Sequence, residues 1–444
     1  DLVAEGAAAG VETDPDVALL KSSARLVEAI EAAVRFYEEP PAKGMTVETP
    51  WSALRLSAAD WAEAFEAAEP GAPHNDARDQ VWEELLTILT DKHDSAASAD
   101  LFRKSLRQNR ELLTTFNRAW PLLEAADLVA DLWSVPAYLR RCAPWLRPED
   151  VQKLQRADAQ AWTVSDLPLL DAARQRLGDP EAARRQRRHN AAVTANREHM
   201  ARVVDDFSAA ADDEYGVGLV TMLRGEDFKD ALVDGSALAS TDPDLLAGPF
   251  AHIVVDEAQE LTDAQWHMLL LRCPSRSFTI VGDRAQARHG FTESWQERLE
   301  RIGLVRIAQA RLSINYRTPE EVMAEAEPVI RAVLPDANVP TSIRGSGMPV
   351  VHGSASDLGR ILDTWLAAHA DGIACVIGTG DIDDATFRAT SRVRSLTPEL
   401  SKGLEFDLVV LIDPETFGKG IEGAVDRYVA MTRATQQLVI LTSS

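Results

Sequence analysis

Apolar residues recur at helical spacing through the first 175 positions of the chain. This spacing predicts a helical segment over 1–40 and another helix over about 58–68. Prolines and glycines between 40 and 57 interrupt the pattern, and Met45-Thr46-Val47 among them is typical of a short strand. The first part of the chain is therefore predicted to be mainly helical.

Tryptophans are concentrated between residues 75 and 175, where leucines at helical spacing again predict helices. They are Trp82, Trp120, Trp133, Trp145 and Trp162. Aromatic side chains at helical spacing usually face a core, and core packing is the interpretation that we favour. A partner-binding surface is the alternative.

Short apolar runs alternate with helical segments from about residue 250 onward. The runs are 253–255, 278–281, 350–351, 374–377, 408–412 and 438–441. Runs of this length that are apolar throughout are typical of parallel strands buried on both faces. This half of the chain is therefore predicted to be an α/β layer structure.

The charge of the chain limits its partners. Its 444 residues include 46 Lys and Arg against 70 Asp and Glu, a formal net charge of −24. Nucleic-acid affinity depends largely on counterion release by basic residues, so the chain as a whole is a poor general binder of phosphate backbones. The excess is largest in residues 1–100, with 21 acidic and 7 basic residues. This acidic excess favours a solvated surface. The alternative is an acidic surface that meets a basic partner or mimics nucleic acid.

An arginine-rich stretch runs against this acidic background. Its members are Arg174, Arg176, Arg184, Arg185, Arg187, Arg188, Arg197 and Arg202. We favour the solvated face of a linking helix, with contact to phosphate or to an acidic partner as the alternative. Residues 203–248 are predicted to be a connector with short helices.

Cysteine spacing and hydropathy exclude other classes of protein. Cys142, Cys273 and Cys375 form no C-x-x-C pair, which argues against a disulfide framework or a zinc site and suits a reducing cytosol. No apolar run reaches the ~18 residues needed to cross a bilayer. The N-terminus lacks the charged and apolar regions of a signal peptide. We therefore predict a cytoplasmic location and no membrane partner.

The candidate chemistry begins with D-E-A-Q at 256–259, which follows an apolar strand. A carboxylate such as Asp256 at a strand end is suited to hold Mg²⁺, which prefers a few oxygen ligands and keeps much of its hydration. Glu257 beside it is suited to orient and deprotonate an attacking water.

Two further motifs offer groups for a nucleotide. In G-D-x-x-Q at 282–286, Gln286 follows a neighbouring strand and is placed to contact a γ-phosphate or the attacking water. In N-Y-R, Tyr316 offers a flat face for adenine, and Arg317 offers a planar fork of donors for phosphate oxygens.

The last two motifs precede strands near the C-terminus. They are K-G-L-E-F at 402–406 and V-A-M-T-R-A at 429–434, in which Arg433 is the candidate arginine finger. Each of the five motifs alone is compatible with a purely structural role. Their order, each beside a predicted strand, is the informative feature.

In this order the motifs resemble motifs two to six of superfamily-one helicases of the UvrD/Rep type, over residues 250–442. The resemblance implies two RecA-like P-loop NTPase lobes that close on ATP and Mg²⁺, the first ending near residue 310. Its implied catalytic residues are Asp256, which would also be the metal ligand, Glu257, Gln286, Arg317 and Arg433. Its implied nucleotide-binding residues are Gln259, Asp283, Tyr316 on the base, Gly403, and Glu405 near the ribose.

The phosphate-binding part of such an enzyme is missing from the sequence. No G-x-x-x-x-G-K-[ST] loop occurs in the 444 residues. We therefore expect the C-terminal part of a longer protein, with an incomplete first lobe and a complete second lobe, which by itself is inactive as an ATPase. A degenerate ATPase is the alternative.

Departures from the UvrD pattern narrow the resemblance. Only 84 residues separate Arg317 from Lys402, which leaves no room for the large domain that unwinding enzymes insert there. The segment 287–291 and Glu399 also depart from positions that contact DNA in those enzymes.

The chain is more similar to the HelD group of RNA polymerase-associated ATPases, including its actinobacterial type. Upstream segments at 132–139, 143–146 and 162–171 share this resemblance. It implies an ATP-driven factor that remodels and recycles RNA polymerase, releases it from nucleic acid, and carries a mostly α-helical inserted domain. Core RNA polymerase is the implied partner, DNA is a second candidate partner, and we expect a monomer. A truncated UvrD/Rep-type helicase or translocase and a non-catalytic interaction module are the alternatives.

Four segments follow from this interpretation. They are an N-terminal helical part of the first lobe or insertion (1–74), a Trp-rich helical insertion domain (75–200), the distal half of the first lobe (201–310) and the second lobe (311–444).

Overall fold

Two units make up the part of the chain that the structure describes. The computed structural model describes residues 9–94, 98–178, 248–287, 293–379 and 391–443. The first unit comprises Asp1–Pro249 with Thr262–Arg272, and the second comprises Phe250–Leu261 with Cys273–Ser444. The arginines at 184–202, residues 203–247 of the connector predicted at 203–248, and residues 288–291 of the departing segment lie outside the described residues.

The described part of the first unit is mainly helical, as its apolar spacing predicts. Its helices are α1 (Pro15–Lys21), α2 (Ala24–Arg35), α3 (Ala58–Glu66), α4 (His74–Asp91), α5 (Ala99–Gln108), α6 (Arg110–Ala119), α7 (Ala125–Ser134), α8 (Pro136–Cys142), α9 (Pro148–Leu154), α10 (Leu167–Leu177) and α11 (Asp263–Arg272). The strand predicted near residue 45 is confirmed as β1 (Met45–Glu48), which pairs antiparallel with β2 (Ala53–Leu56). In the described part of the segment predicted as helix over 1–40, the helix is interrupted, because Ser22 ends α1 and the Ser23 side chain caps α2.

Two apolar cores hold the described part of the first unit together. One joins α1 and α2 to α7–α10 around the fully buried Trp133. The other joins the β1–β2 hairpin to α3–α6 and includes Trp120, which is also buried. The core-packing interpretation of these two tryptophans is thereby confirmed, while Trp82, Trp145 and Trp162 pack partly buried against the same cores. The second core runs from Val47 to Trp120 and continues across residue 74, where we predict a domain boundary.

A buried ion cluster crosses the first of these cores. Asp166 is fully buried, with Lys21 Nζ 3.0 Å from its Oδ1 and Arg156 Nη1 3.0 Å from its Oδ2. The backbone N–H of Thr163 also donates to Asp166 Oδ2 at 2.8 Å. Burial alone would raise the pKa of Asp166, but the Lys21 charge, the Thr163 bond and the Arg156 charge outweigh it and hold that pKa below its usual value.

The second unit is mixed α/β, and its described strands pair only in parallel. Its strands are β3 (Ile253–Val255), β4 (Phe278–Ile280), β5 (Ile314–Asn315), β6 (Thr341–Ser342), β7 (Val351–Ser354), β8 (Ala374–Ile377), β9 (Val393–Leu396), β10 (Phe406–Ile412) and β11 (Ala434–Thr442). Its helices are α12 (Trp295–Arg301), α13 (Glu320–Arg331), α14 (Leu358–Ala368) and α15 (Gly420–Thr432). Five strands form one sheet in the order β7-β11-β10-β8-β9, while β3 pairs with β4 and β5 pairs with β6.

The six apolar runs predicted as strands are confirmed, with some bounds shifted by a few residues. Helices on both faces of the five-stranded sheet explain why the runs in β8, β10 and β11 are apolar throughout. Alternate residues of β10 pack against α13 and α15 on one face and against α14 on the other. β9 escaped prediction because its sequence, Val393-Arg394-Ser395-Leu396, is apolar only at its ends.

The sheet register determines where the motifs lie. D-E-A-Q follows β3 and G-D-x-x-Q follows β4, and these neighbours pair Val255 with Ile280, so both motifs leave the same edge. K-G-L-E-F leads into β10 and V-A-M-T-R-A leads into β11, which pair Phe406 with Ala434. Among the described residues, no helix is long and apolar enough to span a bilayer.

Candidate functional site

The paired carboxylates after β3 are exposed and lie on a strained turn. Glu257 adopts a left-handed conformation with φ 51° and ψ 35°. This conformation is uncommon for residues other than glycine and tends to be retained at functional sites. The Glu257 backbone N–H donates to Asp256 Oδ1 at 2.8 Å, which orients the first carboxylate relative to the second.

Gln259 connects the first motif to the second. Its side chain is buried, and its Nε2 donates to Glu257 Oε2 at 2.6 Å while its Oε1 accepts from the Asp283 N–H at 3.0 Å. Gly282 packs closely beside it: a Cβ at this position would lie 2.9 Å from Gln259 Oε1 and 2.7 Å from the Trp295 ring, so a larger residue would displace these side chains. The glycine of G-D-x-x-Q thus leaves room for the amide that holds Glu257.

Gln286 extends the network to the arginine of the last motif. Its Nε2 donates to Asp283 Oδ2 at 2.8 Å, and its Oε1 accepts from Arg433 Nη2 at 3.3 Å. Burial raises the pKa of Asp283, against the bonds donated by Gln286 and the Ala285 N–H, and the negative charge of Glu257 raises it further. The glutamine therefore lies between a partly buried carboxyl group and a buried guanidinium.

Arg433 is only 2% exposed. Its Nε donates to the Val429 carbonyl at 3.0 Å, at the C-terminal end of α15. Burial and then the positive charge of Arg317 lower the pKa of Arg433 to about 10, against the negative charges of Glu257 and Glu405. Arg433 therefore remains a cation at neutral pH and has a second arginine close by.

Arg317 lies on the exposed side of this arginine pair. Its Nη1 is 2.8 Å from Glu405 Oε1, and both side chains are about half exposed. Asn315 Oδ1 accepts from the backbone N–H groups of Arg317 and Thr318, at 2.9 and 3.1 Å, and so holds the turn after β5. Glu405, which is expected near the ribose, pairs in this structure with a phosphate-binding candidate.

The same network contains Lys402 and Glu260, for which the sequence predicts no role. Lys402 Nζ is 2.6 Å from Glu260 Oε1 and 3.8 Å from Glu257 Oε2, and it donates to the Gln286 carbonyl at 3.2 Å. The two residues are 142 positions apart, so the local sequence pattern could not predict that they form an ion pair. The available signal was their opposite charges, with Lys402 inside K-G-L-E-F and Glu260 directly after D-E-A-Q.

A cleft of about 340 Å³ adjoins Lys402. It is lined by Glu260, Gln286, Pro398, Glu399, Lys402, Val425, Asp426 and Val429. Three of these residues are carboxylates, which suit a polyanion poorly. The arginine pair, rather than this cleft, supplies the phosphate-binding candidates.

Asp256 fits a magnesium site as a single protein ligand. Within the described ranges, no group of three or more His, Cys, Asp and Glu side chains could hold a metal ion. Mg²⁺ usually keeps several waters and takes one or two carboxylates together with substrate phosphates. An exposed carboxylate at a strand end, oriented by the Glu257 N–H, is consistent with that coordination.

Seven of the ten predicted site residues are thus connected by contacts or close charges. They are Glu257, Gln259, Asp283, Gln286, Arg317, Glu405 and Arg433. Asp256 adjoins them through the Glu257 N–H. Tyr316, which is 71% exposed, and Gly403, which has φ +73°, lie on the surface of the unit.

Comparison with known proteins gives limited similarity. No family model matches the chain, and no curated protein matches it. Among solved structures it is similar to a PRRSV helicase, with a TM-score of 0.28 and 18% identity over 43% of this chain and 34% of that one. It is also similar to PRRSV nsp10 (helicase), with a TM-score of 0.19 and 16% identity over 42% and 35%. The chain thus spans about a third of the length of these helicases.

Proposed function

We propose that this chain is part of a helicase-like ATPase whose nucleotide site lies between two RecA-like lobes. The observation that supports this most directly is the network from Glu257 through Gln259, Asp283 and Gln286 to Arg433. Its last link joins residues that are 147 positions apart. The acids, amides and guanidinium that phosphoryl transfer requires converge there from separate strand ends.

Each residue has a chemical role in this proposal. Glu257 orients the attacking water and accepts its proton, and the Gln259 amide holds the carboxylate in place. Arg433 and Arg317 stabilise the charge that develops on the transferring phosphoryl group. Asp256 holds Mg²⁺, which supplies further charge neutralisation when bound.

The remaining residues bind the rest of the nucleotide. Tyr316 presents an exposed ring on which a base can stack, and Glu405 and Gly403 lie on the adjoining loop for the ribose. Gln286 contacts both the Asp283 carboxyl group and Arg433, so it is placed to respond to the occupant of the phosphate site.

At a finer level, we propose a HelD-like factor that uses ATP to release and recycle RNA polymerase. The interval from Arg317 to Lys402 supports this choice, because its described residues form α13, α14 and strands β6–β9 of the second unit, leaving no space for a large inserted domain. The net charge of −24 also favours a protein partner over nucleic acid. A cytoplasmic monomer that binds core polymerase follows from this proposal.

The first test is ATP hydrolysis by the full-length protein with Arg433→Ala. Removal of a preorganised charge that faces the transition state should lower kcat by about 10²–10³-fold. Arg427→Ala is the matched control, because Arg427 lies on the same helix and pairs with the exposed Glu415 at 3.5 Å. Normal turnover in Arg433→Ala contradicts the assignment of the site.

The second test is a binding titration of this chain against core RNA polymerase and, in parallel, against forked and single-stranded DNA at physiological salt. Saturable polymerase binding with weak, steeply salt-dependent DNA binding supports the recycling function. Tight DNA binding without polymerase binding indicates a truncated helicase instead. Polymerase release that persists in Arg433→Ala indicates a non-catalytic interaction module.

A further inference from the structure

A third arginine joins the backbone segments that carry Arg317 and Arg433. Nη2 of Arg344 donates to the Arg317 carbonyl at 2.6 Å and also to the carbonyl of Thr435, two residues beyond Arg433. The Arg344 carbonyl in turn accepts from the Glu320 N–H, at the start of α13, at 2.9 Å. One side chain therefore bridges the turn after β5 and the start of β11.

This bridge links segments that the sheet hydrogen bonds leave separate. β5 belongs to the two-stranded β5–β6 sheet, whereas β11 belongs to the five-stranded sheet. A second, longer contact runs parallel to the bridge, from the Thr318 hydroxyl to the Thr432 carbonyl at 3.4 Å. The separation of the two segments therefore depends on side chains.

The need for a bridge follows from charge. Arg317 and Arg433 are close enough that the positive charge of Arg317 lowers the pKa of Arg433. Like charges at short range repel, and the Glu405 partner of Arg317 is half exposed and screened by water. A fixed backbone is a more effective way to hold two guanidinium groups at the spacing that one triphosphate requires.

We propose that Arg344 is a positioning residue of the nucleotide site, which fixes the separation of Arg317 and Arg433. The proposal rests on the proposed function, because it assigns both arginines to one nucleotide. A guanidinium suits this role, since the two N–H groups on its Nη2 lie in a fixed plane and donate to two carbonyl groups. Arg344 acts through the backbone and does not itself contact the nucleotide.

The test compares Arg344→Ala and Arg344→Lys in the full-length protein. Arg344→Ala should lower kcat by roughly 10- to 100-fold, the range expected for a small misplacement of catalytic groups, while KM for ATP changes little. Arg344→Lys should recover only part of this loss, because an ammonium group does not hold its N–H donors in a fixed plane. Arg392→Ala is the matched control, since Arg392 also donates to backbone carbonyls, those of His369, Ala370 and Leu366, at 2.6, 2.7 and 3.5 Å. It should keep kcat near the wild-type value.

A second readout needs no nucleotide. Amide hydrogen exchange in this chain should become several-fold faster around Arg317 and Thr435 in Arg344→Ala, and stay unchanged there in Arg392→Ala. Wild-type hydrolysis with normal kcat in Arg344→Ala overturns the positioning role and leaves the proposed function intact. Absence of hydrolysis in the wild type overturns the proposed function and the role together, and exchange then reports only whether the bridge forms. Unchanged exchange overturns the bridge itself.

Discussion

The two units differ in whether their buried charged side chains are paired with opposite charges. In the first unit, both oxygens of the buried Asp166 face cations, Lys21 on one side and Arg156 on the other. In the second unit, the buried Arg433 donates to a carbonyl and an amide while a second guanidinium lies close to it. The first arrangement satisfies its charges within the fold, and the second leaves its charges only partly neutralised.

This difference separates residues that stabilise the protein from residues that the rest of the protein must hold in place. An ion cluster whose charges are paired with one another stabilises the folded state. Removing one member leaves a buried charge without its partner. A strained glutamate and neighbouring arginines cost stability, and such features are retained where a ligand supplies the missing interactions. Substitutions in the two places should therefore change different quantities.

The largest expected effect is on catalysis, from Glu257→Gln in the full-length protein. Loss of the proposed general base should lower single-turnover ATP hydrolysis by about 10²–10⁴-fold. Thermal stability should remain unchanged or rise, because the substitution removes a charge from a strained position. Glu415→Gln, at a glutamate that is 85% exposed, is the control and should leave hydrolysis unchanged. A large loss of stability in Glu257→Gln with normal hydrolysis would show that Glu257 stabilises the fold. The distinction between the two units would then be removed.

The next effect is on stability, from Lys21→Met in this chain. Asp166 would keep only Arg156 as a cationic partner while remaining buried, and loss of one partner of a buried pair costs about 3–5 kcal/mol. Urea unfolding followed by tryptophan fluorescence measures the change. Lys153→Met removes an exposed pair with Asp16 and should unfold near the wild-type midpoint. Equal midpoints for both variants would show that the buried cluster does not stabilise the unit.

Acid should weaken the first unit through the same carboxylate. The pKa of Asp166 is lower in the folded chain than its ordinary value, so its contribution is present above the ordinary value and is lost as pH falls through the folded one. Asp283 has the opposite sign: its pKa is raised, so its contribution is lost as pH rises through that raised pKa. Urea midpoints between pH 7 and pH 2 should therefore fall less steeply in Asp166→Asn than in the wild type. Identical slopes would contradict the depressed pKa.

The smallest expected effects are on stability, from serine caps at helix starts, one in each unit. Ser57 and Ser294 each form a capping box, at the starts of α3 and α12. Ser57→Ala and Ser294→Ala should each lower the free energy of unfolding of their own unit by about 1 kcal/mol. The two losses should be similar, because a cap depends on local backbone geometry and not on the surrounding charge. A difference of several-fold would show that the units respond differently even to local changes.

Local pattern was sufficient for much of the fold. The apolar runs that became β8, β10 and β11 are buried on both faces by helices, so composition alone identified them. Local pattern failed where burial is one-sided or the element is short, as in β9 and the two-residue strands β5 and β6. It also missed the break at Ser22 and Ser23, because a side-chain cap divides a run whose apolar spacing continues.

The sequence by itself determined which chemical groups the candidate site contains, because the motifs place acids, amides and arginines beside strand ends. Only the tertiary structure decided their partners. Three sets of contacts depend on parallel strands that bring distant loops together. They are the pair of Lys402 with Glu260, the Gln259 link between Glu257 and Asp283, and the Arg344 bridge. Residue type and local periodicity report on burial and on the preceding turn of chain, whereas these contacts depend on sheet order and register, which local sequence does not encode.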